Sequence, residues 1–239
     1  MKVVILAAGL GTRLGVLTKN LPKPMIEVGG KPILEHTILS LVRAGLTDVI
    51  LNTHYLPEVI INYFRNGERL GANVSYFYEP DLIGSAGAIR RMSAKFDEPF
   101  MVIYGDNFYA VDFGRVSRGR VAENCPVNIL VFDRAVHKYS GAAGGVIEVD
   151  GEGSVTGFYE GVDRADLKLV NAGVYLLHPR AIEQIPEGKC DFARDLFPSI
   201  LGKVKLMSQT ILEDEAVFGP DTPLFLDATQ TYVIQNDHY

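Results

Sequence analysis

Apolar runs and stretches of helical period alternate along the first half of the chain. Residues 3–8 (VVILAA) are apolar without polar alternation, the pattern of a strand covered on both faces. Residues 32–44 set Leu34, Ile38, Leu41 and Val42 on one helical face and stop at Gly45. Strands at 48–53, 74–79 and 100–106, with helices at 57–67 and 86–95, complete the series. Strand and helix in this order and spacing predict right-handed crossovers and a parallel sheet. The rhythm then changes. Residues 127–133, 145–149, 154–160 and 170–177 read as strands joined by turns such as VDGEGS at 149–154, hence antiparallel additions to the same sheet. A helix is expected around 191–201, kinked or ended by Pro198, and a last one within 231–239. No repeat, low-complexity segment or linker interrupts the chain. The expected architecture is one α/β domain over residues 1–239, with a Rossmann-like open, mostly parallel central sheet flanked by helices and antiparallel strands added in the second half.

The first strand breaks into Gly9, Gly11 and Gly15, at the edge where open parallel sheets bind ligands. The dinucleotide fingerprint would need a small residue where Leu14 stands and an acid after the second strand, which instead ends in LNTH. The ATP-type loop fails at Leu14 as well. What remains is a loop whose backbone N–H groups can approach an anion, with Arg13 adding planar, permanent charge. Lys23 follows between Pro22 and Pro24, which fix the backbone and present the ammonium from a rigid extended segment. Arg13 and Lys23 together suit a triphosphate.

Composition narrows the partners. A net charge of −6 argues against nucleic acid and requires local residues to hold any phosphate. No apolar run approaches the roughly 18 residues of a membrane span, and no secretory leader pattern is visible, so neither a membrane partner nor export is expected and the cytoplasm is the default location. Cys125 and Cys190 lack metal-ligand spacing and read as free thiols. His36, His54, His137, His178 and His238 are scattered and read as structural.

The stretch LAAGLGTRL…LTKNLPKPM resembles the signature of the sugar-1-phosphate nucleotidylyltransferases, the NDP-sugar pyrophosphorylases: a strand, then G-x-G-T-R-[LMF], then K-P-[ML]. HYLPEVIINYF, EPDLIGSAGAI, YGDN, LVNAGVYLL and FLDATQTY are similar to later family segments, in the same order. The resemblance implies a nucleotide-diphospho-sugar transferase fold in a short single-domain form, without the C-terminal β-helix of longer members. It divides the chain into a nucleotide-binding half, about 1–110, and a sugar-binding half, about 111–239. It implies condensation of an NTP with a hexose or heptose 1-phosphate to an NDP-sugar and pyrophosphate. Guanine, uracil, thymine and cytosine are all read by related loops.

Residue by residue, the resemblance gives Leu6, Ala7, Ala8, Gly9, Gly11, Thr12 and Arg13 to the nucleotide phosphates and base edge. It gives Glu79, Gly84, Ser85, Ala86 and Gly87 to the base loop, with Gly87 lying against base or ribose. Arg13 and Lys23 become the catalytic cations, and Asp106 and Asp227 the carboxylates of a Mg²⁺ that also binds the nucleotide. Gly145, Glu160 and Asn171 fall to the sugar. The attacking phosphate oxygen is already ionised, so positioning and charge neutralisation replace a general base. Two positions depart from the family pattern. Asp227-Ala228-Thr229 stands for D-[IVL]-G-T, and Gly161 stands where a lysine usually follows the glutamate, with Lys168 or Arg164 as substitutes. A non-sugar acceptor such as phosphocholine, or a catalytically silent nucleotide-sugar-binding subunit, is the alternative reading, and whether the molecule is a homodimer stays open.

Overall fold

The computed structural model describes residues 1–137, 144–162 and 164–236. In chain order the elements begin β1 (Val3–Leu6), β2 (Glu27–Val28), β3 (Lys31–Pro32), α1 (Ile33–Arg43), β4 (Asp48–Thr53), α2 (Pro57–Phe64), β5 (Asn73–Tyr78), α3 (Ser85–Arg91), β6 (Phe100–Tyr104), β7 (Phe108–Ala110) and α4 (Phe113–Val116). The second half adds β8 (Val127–Asp133), β9 (Val146–Val149), β10 (Val155–Tyr159), β11 (Leu169–Leu177), α5 (Phe197–Ile200), β12 (Leu206–Thr210), β13 (Ala216–Phe218) and α6 (Pro223–Gln235). The expected alternation is therefore present, and β2, β3, β7, β12 and β13 are additions to it.

One sheet runs through both halves in the order β10-β9-β11-β6-β1-β4-β5, with β8 and then β12 attached at β11. β6, β1, β4 and β5 are parallel; β11 runs antiparallel to β6, β8 and β9. β1 lies at the centre and faces core on both sides, as an unalternated apolar run must. Val3 and Ile5 enter one cluster with Leu34, Ile38 and Leu41 of α1, while Val4 enters the other with Ile89 and Val102. Complete burial of each such side chain contributes about 1.5–3 kcal/mol. Register then sets the site. Leu6 pairs with Asn52 on one side and Tyr104 on the other, and Thr53 pairs with Tyr78, so the residue after β5, Glu79, arrives beside Asn52.

The last two helical segments correct the sequence reading. The helix expected at 191–201 is a π-helical turn, Phe192–Leu196, running into α5, with Pro198 tolerated near the start of α5. The last helix starts at Pro223, because Thr222 caps it by accepting from the Phe225 N–H and Pro223 occupies its first turn. Residues 237–239, which include His238, lie outside the described residues. Both cysteines are buried free thiols, and burial pushes Cys190 up to about 11.

Candidate active site

Two cavities open side by side at the strand ends and share a wall of Tyr104, Asp106 and Asp191. The first, about 350 Å³, is lined by the loop after β1 and by Asn52, Glu79, Gly84 and Ser85. The second, about 260 Å³, is lined by Arg13, Glu160, Asn171, Arg194 and Asp221 among others.

Leu6, Ala7, Ala8, Gly9 and Gly11 line the first cavity. Gly11 has φ 62, and a Cβ there would stand 2.9 Å from the Lys23 Cβ, so glycine lets the loop close on the lysine segment. Ala7 donates its N–H to the Asn52 carbonyl at 2.9 Å, which leaves that amide unavailable to a ligand. Thr12 lies elsewhere; it is exposed and opens the 3-10 turn Thr12–Thr18.

Lys23 lines the first cavity and reaches carboxylates of the second. It lies in a single 3-10 turn, Lys23–Met25, rather than an extended segment, because Met25 N–H reaches back to the Pro22 carbonyl (2.8 Å). Its ammonium donates to Asp106 Oδ2 at 2.7 Å and to Asp221 Oδ1 at 2.5 Å, with only 5% of the side chain exposed. Arg13 reaches the other oxygen of Asp221 from the mouth, Nη1 to Oδ2 at 3.1 Å, with 64% of its side chain exposed. One lysine near the start of the chain thus gathers a carboxylate from its middle and another from near its end.

Asp227 is not one of them. It projects from the exposed part of α6, outside both cavity linings, and Thr229 turns its hydroxyl to the Phe225 carbonyl (2.7 Å). The carboxylate beside Asp106 is Asp221, just before the α6 cap. The early start of α6, signalled in the sequence by the cap-then-proline pair Thr222-Pro223, places Asp227 one turn into the helix and brings Asp221 to Lys23 instead.

The base loop divides as well. Gly84 and Ser85 line the first cavity, whereas Ala86 and Gly87 are buried in α3 behind it. Gly87 donates its N–H to the Cys190 carbonyl (2.9 Å) and so packs on the 188–190 segment rather than on a ligand. Gly84 has φ 82, and a Cβ would fall 2.4 Å from the same carbonyl oxygen. Ser85 Oγ donates to Asp191 Oδ2 (2.7 Å) and accepts from the Phe192 N–H (2.9 Å), tying the two banks of the cleft together. Glu79 is 2% exposed; its Oε1 accepts from Asn52 Nδ2 at 2.7 Å, and His54 Nδ1 donates to its backbone carbonyl.

In the second cavity Glu160 keeps Oε2 buried without a hydrogen-bond partner. Burial first, and the nearby Asp191 carboxylate second, raise its pKa above the ordinary 4.5. Gly145 packs directly on Glu160, where a Cβ would come 2.7 Å from Oε2. Asn171 lines the cavity, but its side chain is engaged within β11: Oδ1 accepts from the Gly173 N–H (3.0 Å) and Nδ2 donates to the Tyr175 hydroxyl (2.9 Å). These bonds hold the irregularity where β11 slips register against β8. Neither Arg164 nor Lys168 replaces the missing lysine. Arg164 is engaged with Asp166 and stacked 4.5 Å over Tyr159, and among the described residues the cations lining the cavity are Arg13 and Arg194. Sequence reading also missed Asn52, Tyr104 and Asp191. Of these Asp191 carried a signal, as the cap of the helix that follows, accepting from Ala193 and Arg194 N–H groups.

A mostly parallel sheet with a glycine loop, a buried lysine and two aspartates at its strand ends is the framework of a phosphate-handling α/β protein. The chain belongs to the nucleotidyl transferase family, which matches it over residues 2–217. It is 32% identical to the UTP–glucose-1-phosphate uridylyltransferase of Synechocystis sp., over 84% of this chain and 55% of that protein. It is 31% identical to the mannose-1-phosphate guanylyltransferase of Mycobacterium tuberculosis, over 83% and 55% respectively. The chain therefore spans little more than half the length of these curated relatives. In fold it resembles HddC from Yersinia pseudotuberculosis complexed with GMP-PN (TM-score 0.80, 24% identity, covering 97% of this chain and 98% of that one). It also resembles a putative glucose-1-phosphate thymidylyltransferase from Bacillus anthracis in complex with a sucrose (TM-score 0.83, 20% identity, 97% and 94%). Among the described residues no helix is long and apolar enough to cross a membrane.

Proposed function

We propose that this chain transfers a nucleotidyl group from an NTP to a sugar 1-phosphate and releases pyrophosphate. The observation that carries the reading is the placement of Lys23: a buried ammonium lining the first cavity and bonded to Asp106, which both cavities share, and to Asp221, which lines the second. The nucleotide lies in the first cavity, its phosphates on the glycine loop, and the acceptor in the second. An ionised oxygen of the acceptor phosphate attacks the α-phosphorus as the bond to the bridging oxygen of pyrophosphate breaks, and that oxygen takes the electron pair. No proton has to move, so the protein's part is alignment and charge neutralisation. Lys23 sits between the two anions, Arg13 meets the departing pyrophosphate at the mouth, and Arg194 meets the acceptor phosphate. Glu160 takes sugar hydroxyls on its unpaired oxygen, and Asn171 shapes the strand beside it. Relatives named for uridylyl and guanylyl transfer, to glucose and mannose 1-phosphates, support the class.

Asp106 and Asp221 converge on one cation, and two hard carboxylates at a phosphate site suit Mg²⁺, which takes the rest of its ligands from substrate and water. Among the described residues no group of three or more His, Cys, Asp or Glu gathers to hold a metal without substrate. Once bound with the nucleotide, such an ion supplies positive charge at the α-phosphate. The test is pyrophosphate release from a matrix of the five common NTPs and a panel of hexose and heptose 1-phosphates. Release with one pair and not with phosphocholine is the expected result, and silence from folded protein that binds nucleotide would sink the reading.

A further inference from the structure

The first cavity presents an unusual group to whatever base enters it. Glu79 is 2% exposed, lines the cavity, and is held in place at both ends. Its backbone N–H donates to Thr53 O at 2.8 Å, and Asn52 Nδ2 fixes Oε1 at 2.7 Å. Oε2 has only a long contact from the Ile83 N–H at 3.5 Å. A carboxylate is acceptor-only, with about two lone pairs on each oxygen. After Asn52 and Ile83 are counted, each oxygen keeps room for a donor. The same lining holds the Asn52 side chain that grips Oε1 and the apolar groups Leu6, Ala7, Ala8 and Leu82, so a ligand atom buried there and left unmatched forfeits its hydrogen bond.

We propose that Glu79 selects a guanine nucleotide, a step beyond the transferase reading and resting on it. The argument is the order of donors and acceptors along each base edge. Guanine offers two adjacent donors, N1–H and the 2-amino group, at the spacing of a carboxylate's two oxygens, and so forms a bidentate pair. Uracil and thymine offer one N–H flanked by two carbonyl oxygens, which the carboxylate repels. Cytosine and adenine offer an amino group beside a ring nitrogen acceptor, so one of the two contacts is lost and becomes repulsive. A site built to meet a donor pair rejects bases that lack it, because its own buried acceptors go unpaired.

The experiment measures binding of GTP, ITP, UTP, dTTP, CTP and ATP, each with MgCl₂, to the unmodified protein by titration calorimetry, with pyrophosphate release followed on the same samples. GTP should bind roughly 10²-fold tighter than any pyrimidine nucleotide. ITP, which lacks only the 2-amino group, should bind roughly 10-fold more weakly than GTP. Glu79→Gln places a donor beside an acceptor and should move the preference toward UTP. The GTP-to-ITP ratio needs no variant, so it decides the matter even if Glu79→Gln does not fold. Tight UTP or dTTP binding with pyrophosphate release would overturn the guanine assignment and leave the transferase reading intact. Binding of no nucleotide would overturn both.

Discussion

The two cavities differ in how complete they are. In the nucleotide cavity the polar groups are already wired to one another: Glu79 to Asn52, Ser85 to Asp191, and the Ala7 amide to the Asn52 carbonyl. In the acceptor cavity Glu160 keeps a buried oxygen without a partner. Pre-formed bonds cost little to keep during binding and favour one ligand shape, whereas an unmatched buried acceptor costs stability until a ligand supplies the donor. One bank of the cleft is a mould, and the other keeps a buried acceptor that has no donor. Lys23 lines the first and is tied through Asp106 and Asp221 to the second.

The sharpest way to break the comparison is to remove what joins the cavities. Lys23→Ala should lower kcat by about 10³-fold, and Asp221→Asn by about 10²-fold with a weakened metal titration. Asp227→Asn, an exposed change, should stay within about twofold of the parent. Equal losses for the two aspartate variants would return the metal role to α6. On the nucleotide side, Gly84→Ala forces a Cβ against the Cys190 carbonyl at positive φ. It should cost about 1–3 kcal/mol in thermal or urea unfolding, and an unchanged Tm would show that this bank is less tightly moulded than its bonds imply.

The smallest effect belongs to the unfinished bank. Folding raises the Glu160 pKa, so its favourable share is full below about 4.5, the unfolded value, and is lost as pH rises through the folded one. Glu160→Gln should therefore match the parent in acid and exceed it at neutral pH. The gain should be under about 1 kcal/mol, since the side chain is part-exposed and screened. Parallel pH–stability curves for the two proteins would remove the assigned strain from Glu160.

Local patterns carried most of the fold. β4 and β8 were readable to the residue because an apolar run between turn residues has few other meanings. The glycine loop and Lys23 were legible for the same reason, being punctuation of unusual chemistry close together in sequence. Asp221 and Asp191 were not, because what makes them site residues is non-local. Asp221 matters through Lys23, and Asp191 through Ser85, contacts that no window of sequence contains. Gly87 failed in the opposite sense. Its type suited a ligand contact, but the 188–190 segment occupies the space that a base would have needed.

The order of strands also sets a timetable. β1, β4, β5 and β6 all arise within residues 3–104, so three parallel pairings can form early in synthesis. The other neighbour of β6, β11, begins only at Leu169. For a delay on the order of seconds at ribosomal speeds, the edge Phe100–Tyr104 stands unpaired while every residue of it but the last is destined for burial. An open apolar edge is a template for other chains. A chain cut after Ala110 is therefore expected to scatter light as it associates, whereas the 239-residue chain, in which β11, β13 and α6 cover these edges, should remain clear.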